Sequence, residues 1–436
     1  MSLNMQTMFV SEVDRVGHDP VYWVRREASF AVGALAKVVP LELVLSSLVG
    51  KQVLPVLASL ILSKLPLYQA LVNDQEWHVR HSILFALPGI LARVDQNCRR
   101  ALAVQSLLKL ANDPSDTVRS ALLEVLGEVI YTFRDDPGGP SQELIDLFVP
   151  GKKDWHKSEE LMDFFDSSSS LDLPTRSMLL QPSQPGGTIA SQIESPEGAN
   201  HLRTQFFKDP ERPIVCAFNY PALTLVLGRE RWSEIRDYYL HLTEDRTAKV
   251  RMTLAASLGE MANIIGPEQA GEDLAPVFWD AVGGLTKEEE DIRTKALEGL
   301  PKLLRSLDRA QQEEMAASLI TIWENSSQYW RQRELFAGYL GDLVSLVGSR
   351  TDVVRDLMGR ALRDEIAAVR DAAIGTVITL VPHPLNTPHM IRSFPSTWIS
   401  WVPNERALVR RSLLWPRVTH IAVGQRESIH TPLRPS

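Results

Sequence analysis

Cysteine is nearly missing from this chain: Cys98 and Cys216 are the two in its 436 residues. Two thiols build neither a disulfide framework nor a Cys-based zinc site, and they suit a reducing compartment, cytoplasmic or nuclear. A membrane-spanning run is missing too. The longest apolar stretch, around Val53 to Leu62, is far below the ~20 residues that cross a bilayer. Met1 to Val10 lacks the basic start and long apolar core of a signal peptide. None of the ten histidines is followed by Glu, which removes the repeated His-Glu ligands of a helical two-iron hydroxylase. His78 and His81 lie three apart with no carboxylate or Cys at ligand spacing, so no metal site is expected. There is no Gly-rich phosphate loop, no G-x-S-x-G and no Cys-His nucleophile pattern. The acids Glu288 to Asp291 read as a solvated run at a turn. The expectation is a non-enzyme without cofactor or metal.

Positive charge is short except at one end. The net charge is −8. From Pro382 onward stand seven Arg, no Lys and only Glu405 and Glu427, a balance of +5 that leaves −13 for residues 1–381. An acidic array offers phosphates no basic stripe, so neither nucleic acid nor membrane is expected as a partner.

What is present is a recurring signature: Asp or Asn, then six positions later an Arg preceded by Val, Ile or Trp. It reads Asp19…Val24-Arg25, Asp74…Val79-Arg80, Asp113…Val118-Arg119, Asp245…Val250-Arg251, Asn325…Trp330-Arg331 and Asp364…Val369-Arg370. A further copy, Ile292-Arg293, has Lys287 in the Asp slot. The steps between arginines are 55, 39, 132, 42, 38 and 39 residues. After Asp245, the residues Val250, Leu254, Leu258, Met261 and Ile265 fall at helical spacing. Asp245 stands where an N-cap belongs, and Gly266-Pro267 ends the run. The same grammar holds from Asp113 to Tyr131 and from Asp19 to Val39. Segments such as Arg99 to Ala111 and Trp232 to Leu242 read as the preceding helices. Two helices per ~40 residues is the period of HEAT and armadillo arrays. The expected fold is an all-α HEAT-repeat α-solenoid of about eight helix pairs, in which Asp and Arg ladder between repeats.

The irregular steps place boundaries. Residues 1–149 read as N-terminal repeats and 209–381 as C-terminal repeats. Arg212 lies 39 before Arg251, so a degenerate unit begins near Asp209, with Gln142 to Val149 as its first helix. Between them, 150–208 carries Asp166 and Ser167 to Ser170, Gly186-Gly187 and scattered Pro, and reads as a disordered insertion in an inner turn. Glu160 to Asp166 inside it is linker or a short docking segment. The 55-residue step carries a 16-residue surplus near 49–64, either a foreign insert or a lengthened first helix. Residues 382–436, with eight Pro, read as an irregular basic tail, out-of-frame or functional.

Arrays bind through inner turns and second helices, where Trp and Arg are favoured anchors. The candidates are Trp23 beside Tyr22, Trp77, and the run Tyr329-Trp330-Arg331-Gln332-Arg333. For Trp23 and Trp77, packing between repeats and partner contact stand equal.

Val215 through Arg229, then Trp232, then Asp245 through Ala255 resemble the regulatory subunit 1 family of serine/threonine protein phosphatase 4, related to the HEAT scaffold of phosphatase 2A. Asn325-Ser326 with Trp330-Arg331 fits the same family. The resemblance covers roughly 12–48, 65–149 and 210–381. It implies a scaffold that binds a serine/threonine protein phosphatase catalytic subunit and steers it to substrate proteins along the concave face, the metals belonging to the partner. In the related scaffold a Trp-Arg pair on C-terminal inner turns contacts the catalytic subunit. Trp330 and Arg331 match that pair, and the role extends to Arg333 beside them and to Arg370. The insertion is short for the family, little precedes the first repeat, and the tail has no family counterpart, which puts part of the binding platform in doubt. A HEAT-type nuclear transport receptor or another HEAT adaptor is the alternative.

Overall fold

The computed structural model describes residues 3–38, 66–152, 155, 196–283, 289–326, 328–346 and 351–380. The suspected insert at 49–64, the docking segment at 160–166, Lys287 and the tail from 382 lie outside them. The described residues form helices and turns, with no strand among them, and no helix there is long and apolar enough to cross a membrane.

Helix pairs follow one another as the repeat requires. They are α1 (Leu3–Gly17) with α2 (Tyr22–Val38), then α3 (Pro66–Val72) with α4 (Trp77–Leu84) and its continuation α5 (Leu87–Leu91). Next come α6 (Gln96–Leu110) with α7 (Asp116–Tyr131), then α8 (Gln142–Phe148), α9 (Pro196–Phe207) and α10 (Arg212–Leu227). The series continues with α11 (Trp232–Thr243) and α12 (Ala248–Ile265), then α13 (Ala275–Gly283) and α14 (Glu289–Ser306). After these stand α15 (Arg309–Ala317), α16 (Leu319–Asn325) and α17 (Trp330–Leu346), and last α18 (Thr351–Leu362) with α19 (Ala367–Leu380). The second helices α2, α4, α7, α10, α12 and α14 pack in succession, and so do α17 and α19.

The apolar stripes make the core. Val250, Leu254, Leu258, Met261 and Ile265 of α12 are all buried. Helix α12 stops at Gly266, whose φ of +88° is left-handed, followed by Pro267, as the sequence predicts. Close stacking of second helices requires small residues. A Cβ on Gly259 would lie 2.9 Å from the Gly299 carbonyl oxygen and 2.7 Å from Lys302 Cβ, so α12 and α14 touch at backbone distance.

The described structure divides into two compact units, Met1–Leu307 and Asp308–Ser436. The division does not fall at the long insertion. Arg212 explains why: its side chain is buried, and Nη2 donates to the carbonyls of Leu147 and, at 2.9 Å, of Phe148. The rings of Phe206 and Phe207 cover its guanidinium at 4.8 and 4.7 Å. The C-terminus of α8 and the N-terminus of α10 are thereby fastened together, so the two serve as one helix pair across the intervening chain. Residues 196–207, assigned from sequence to the insertion, form helix α9. It lies against α7, where Gln205 accepts from Arg119 Nη2 at 3.1 Å. The insertion therefore ends sooner than 208, because Phe206 has a buried place beside Arg212.

Candidate functional site

The inner turns share one geometry. In each, the signature Asp folds back so that Oδ1 accepts the N–H two residues on: Val21 for Asp19, Glu76 for Asp74, Ser115 for Asp113, Thr247 for Asp245 and Ile366 for Asp364, at 2.7 to 2.9 Å. The degenerate copy does the same, with Glu211 N donating to Asp209 at 2.9 Å. This is an Asx turn, which corrects the expectation of an N-cap. For α12 the N-cap position is Thr247, and its side chain makes no capping bond. The Asp stands too early to reach the helix's free N–H groups, and at three of the turns its carboxylate has another partner.

For Asp74, Asp113 and Asp364 that partner is the preceding repeat's Arg. Arg25 holds Asp74 through Nε at 2.6 Å and Nη2 at 2.8 Å, while its Nη1 donates to the carbonyls of Asp19 and Pro20 in its own turn. Arg80 grips Asp113 and its own turn in the same way. Burial alone would raise the Asp74 carboxyl, but the Arg25 fork, the Glu76 N–H and the charge of Arg80 outweigh it and hold the group below its ordinary range. Asp364 is depressed by the same balance of burial against Arg333 and the Ile366 N–H.

Arg333 thus belongs to the ladder. Nε and Nη2 hold Asp364 at 2.7 and 3.1 Å, Nη1 reaches the Ser326 carbonyl, and the pair is buried. It is not open to a partner, contrary to the expectation. The sequence placed Arg331 in the ladder slot, but the turn before α17 is longer, and the Arg two positions on takes the fork. Arg331 instead stays exposed, its guanidinium 4.8 Å from the ring centroid of the half-buried Trp330. Arg370 is half-buried, with Nη1 on the carbonyls of Asp364 and Glu365.

Trp23 and Trp77 come together at adjacent turns through His78. Trp77 stacks on His78 at 3.7 Å, and His78 lies 5.3 Å from Tyr22 and 5.6 Å from Trp23. Trp23 is 49% and Trp77 37% exposed; Trp23 meets the next repeat through His78, while the ring contacts of Trp77 are with His78 and His81 of its own helix. The surface continues along Arg26 and Phe30 on α2 and along His81 and Phe85 beyond Trp77. The sequence reading weighed His81 only as a metal ligand and passed over the other three. The spacing Trp77, His81, Phe85 and Arg26, Phe30 was the available signal, since residues four apart share a helix face. Burial holds His81 below the usual imidazole range, with Glu124 opposing and Arg26 and His78 reinforcing.

Within the stretch that carried the resemblance, Trp232 is buried and donates to Asp273 at 2.7 Å, and Arg236 holds the same carboxylate at 2.6 Å. These residues tie α11 to the π-helical segment Ala270–Leu274 that leads into α13. Residues 216–322 match the family described as the protein phosphatase 4 regulatory subunit 1 middle domain. The family resemblance holds. The serine/threonine-protein phosphatase 4 regulatory subunit 1 of Homo sapiens is 32% identical over 165 residues, which are 37% of this chain and 17% of that protein. The regulatory subunit 4 of the same phosphatase, also from Homo sapiens, is 22% identical over 292 residues, covering 58% of this chain and 33% of that one. These matches therefore span a minor part of the relatives' length. A crystal structure of importin beta shares the fold, with a TM-score of 0.51 and 16% identity over 87% of this chain and 41% of that one. The fold is the HEAT-repeat solenoid expected from the period.

Proposed function

We propose that this chain is a non-catalytic scaffold that holds a phosphatase 4-type catalytic subunit and brings substrate proteins to it. The observation that carries the reading is the family match over 216–322, which falls on regular, well-packed helix pairs. The relatives named above are regulatory subunits of that phosphatase. The likeness to importin beta, at 16% identity, speaks for the fold alone and gives the transport-receptor alternative no weight of its own.

In this reading Trp330 and Arg331 contact the catalytic subunit. They stand at an inner turn, and the ladder leaves them free because Arg333 fills its rung. An Arg stacked on a Trp and left in solvent is the kind of pair that anchors an interface. Arg370 extends this surface on the next turn. Trp23 and Trp77 form a second contact, for the catalytic subunit or a substrate protein. The insertion, from about 150 to the start of α9, separates two repeat blocks held in series by Arg212.

The test is binding of purified phosphatase 4 catalytic subunit to the chain, compared with the Trp330→Ala/Arg331→Ala variant. A loss of binding with unchanged helicity by circular dichroism supports the assignment. Loss of helicity would assign the pair to packing. No binding by the intact chain would defeat the scaffold reading.

A further inference from the structure

Four exposed aromatic rings of two adjacent repeats stand in two rows, each with Arg or His at its middle. Along α2 run Trp23, Arg26 and Phe30, the Arg26 guanidinium carbon lying 5.5 Å from the Trp23 ring centroid and 5.9 Å from that of Phe30. Along α4 and just past it run Trp77, His81 and Phe85, with His81 6.3 Å from Trp77 and 5.2 Å from Phe85. The four large rings are 37 to 49% exposed. His78 joins the rows between Trp77 and Trp23, and α2 packs directly on α4. Exposed apolar groups clustered in this way, rather than scattered singly, mark an interaction surface.

The middle of the patch holds a cation with unfilled donors. Arg26 makes no hydrogen bond with a described residue, and its ion-pair contact, Glu27 Oε1, lies at 3.9 Å, beyond hydrogen-bond reach. Its neighbour Arg25 differs, since the Arg25 fork and Nη1 are engaged in the ladder. On the adjacent row, His81 is held neutral at pH 7 by burial first of all, with the charge of Arg26 reinforcing and Glu124 of α7 opposing. Arg26 is thus the cation that a guest carboxylate would meet, with an aromatic ring on either side of it. Glu27 and Glu124 oppose a dianionic phosphate more than a single carboxylate.

The ends of each row are seven or eight helical residues apart, about 11 to 12 Å. Two dipeptide steps of extended chain cover about 13 Å, and alternate side chains share one face. An extended segment with rings at its first and fifth positions and an acid at its third therefore lays ring on ring and the acid on Arg26.

We propose that this face binds an acidic aromatic segment of a partner protein, in the pattern aromatic-x-Glu-x-aromatic, with the Glu carboxylate on Arg26. The proposal deepens the second contact ascribed above to Trp23 and Trp77 and rests on that reading for the surface alone. Which protein carries the segment does not enter, so failure of the phosphatase catalytic subunit to bind would leave it standing.

The probe is the peptide acetyl-Phe-Ser-Glu-Ser-Phe-amide, titrated into the full chain labelled with 15N-tryptophan. The Trp23 and Trp77 indole resonances are assigned by their absence in Trp23→Phe and Trp77→Phe. The expected result is a saturable shift of both, with affinity at least about tenfold weaker for the Gln counterpart, which lacks the charge. Arg26→Gln should bring the Glu peptide down to the affinity of the Gln peptide and leave the Gln peptide unchanged, a split that a distorted patch would not give. Trp23→Ala should weaken both peptides. Equal binding of the two peptides, no saturable shift with the Glu peptide, equal loss of both in Arg26→Gln, or unchanged binding in Trp23→Ala would each overturn the proposal. Tighter binding of a phosphoserine counterpart would overturn the carboxylate assignment, and self-association of the chain that Trp23→Ala abolishes and the peptide does not compete would assign the face to a second copy instead.

Discussion

Arg80 clasps Asp113 from the repeat before it, with Nε 2.6 Å from Oδ2 and Nη2 2.8 Å from Oδ1, both side chains nearly buried. The same Arg80 takes the backbone carbonyl of Asp74, whose side chain is held by Arg25. The turns of Asp74 and Asp113 are thus each gripped by the preceding repeat's Arg, and Arg25 and Arg80 each brace their own turn as well. Removing one partner of such a pair strands the other. Arg80→Ala should cost about 3 kcal/mol, measured by urea unfolding. Asp113→Ala should cost a similar amount, and the double variant should cost less than the sum of the two. Full additivity would mean that the pair contributes no coupling.

Acid should loosen the ladder before it affects the apolar core. Asp74 and Asp364 are both depressed in the folded chain. A carboxyl with a folded pKa below its unfolded value stabilises above about pH 4, the unfolded value, and loses that contribution as pH falls toward the folded pKa. Stability followed by urea midpoint should therefore be flat from pH 7 to about 5 with respect to these groups and fall below about 4. Asp74→Asn should lower the plateau and shallow the acid slope.

The approach of α12 to α14 depends on an absent side chain. Gly259→Val would place a Cβ against the Gly299 carbonyl and Lys302 Cβ, and overpacking of this kind costs about 1–3 kcal/mol. Gly283→Ala, where a Cβ meets nothing within 4 Å, should be close to neutral. Thermal unfolding of the two variants by circular dichroism checks the contrast.

Arg212 should govern how firmly the insertion is clipped. Arg212→Ala leaves the carbonyls of Leu147 and Phe148 without their donor and vacates the space between Phe206 and Phe207. A loss of about 3 kcal/mol is expected, with faster limited proteolysis in α9. Unchanged cleavage there would show that α9 is held by Gln205 and its other contacts with α7.

Much of the architecture follows from local order. The run Val250, Leu254, Leu258, Met261, Ile265 fixes both a helix and its buried face, and Gly266-Pro267 fixes its end, because these depend on residues within a few turns of each other. The 39-residue spacing fixes the repeat for the same reason. The site was less legible. The spacing put Arg331 in the ladder slot, yet Arg333 takes the fork on Asp364, because the turn before α17 is longer. Trp23 and Trp77 were visible as turn residues, but not the His78 ring between them, since adjacency across repeats is not written in either segment.

By itself, then, the sequence determined an acidic, all-helical repeat chain with an Asp and an Arg at most of its turns, because turn chemistry and helical periodicity are short-range. Tertiary structure decided what these residues do: Asp as an Asx turn, Arg25, Arg80 and Arg333 as rungs, Arg212 as a clip. Those roles depend on where a carboxylate or carbonyl some 30 to 65 residues away comes to rest, and only stacking the helices sets that distance.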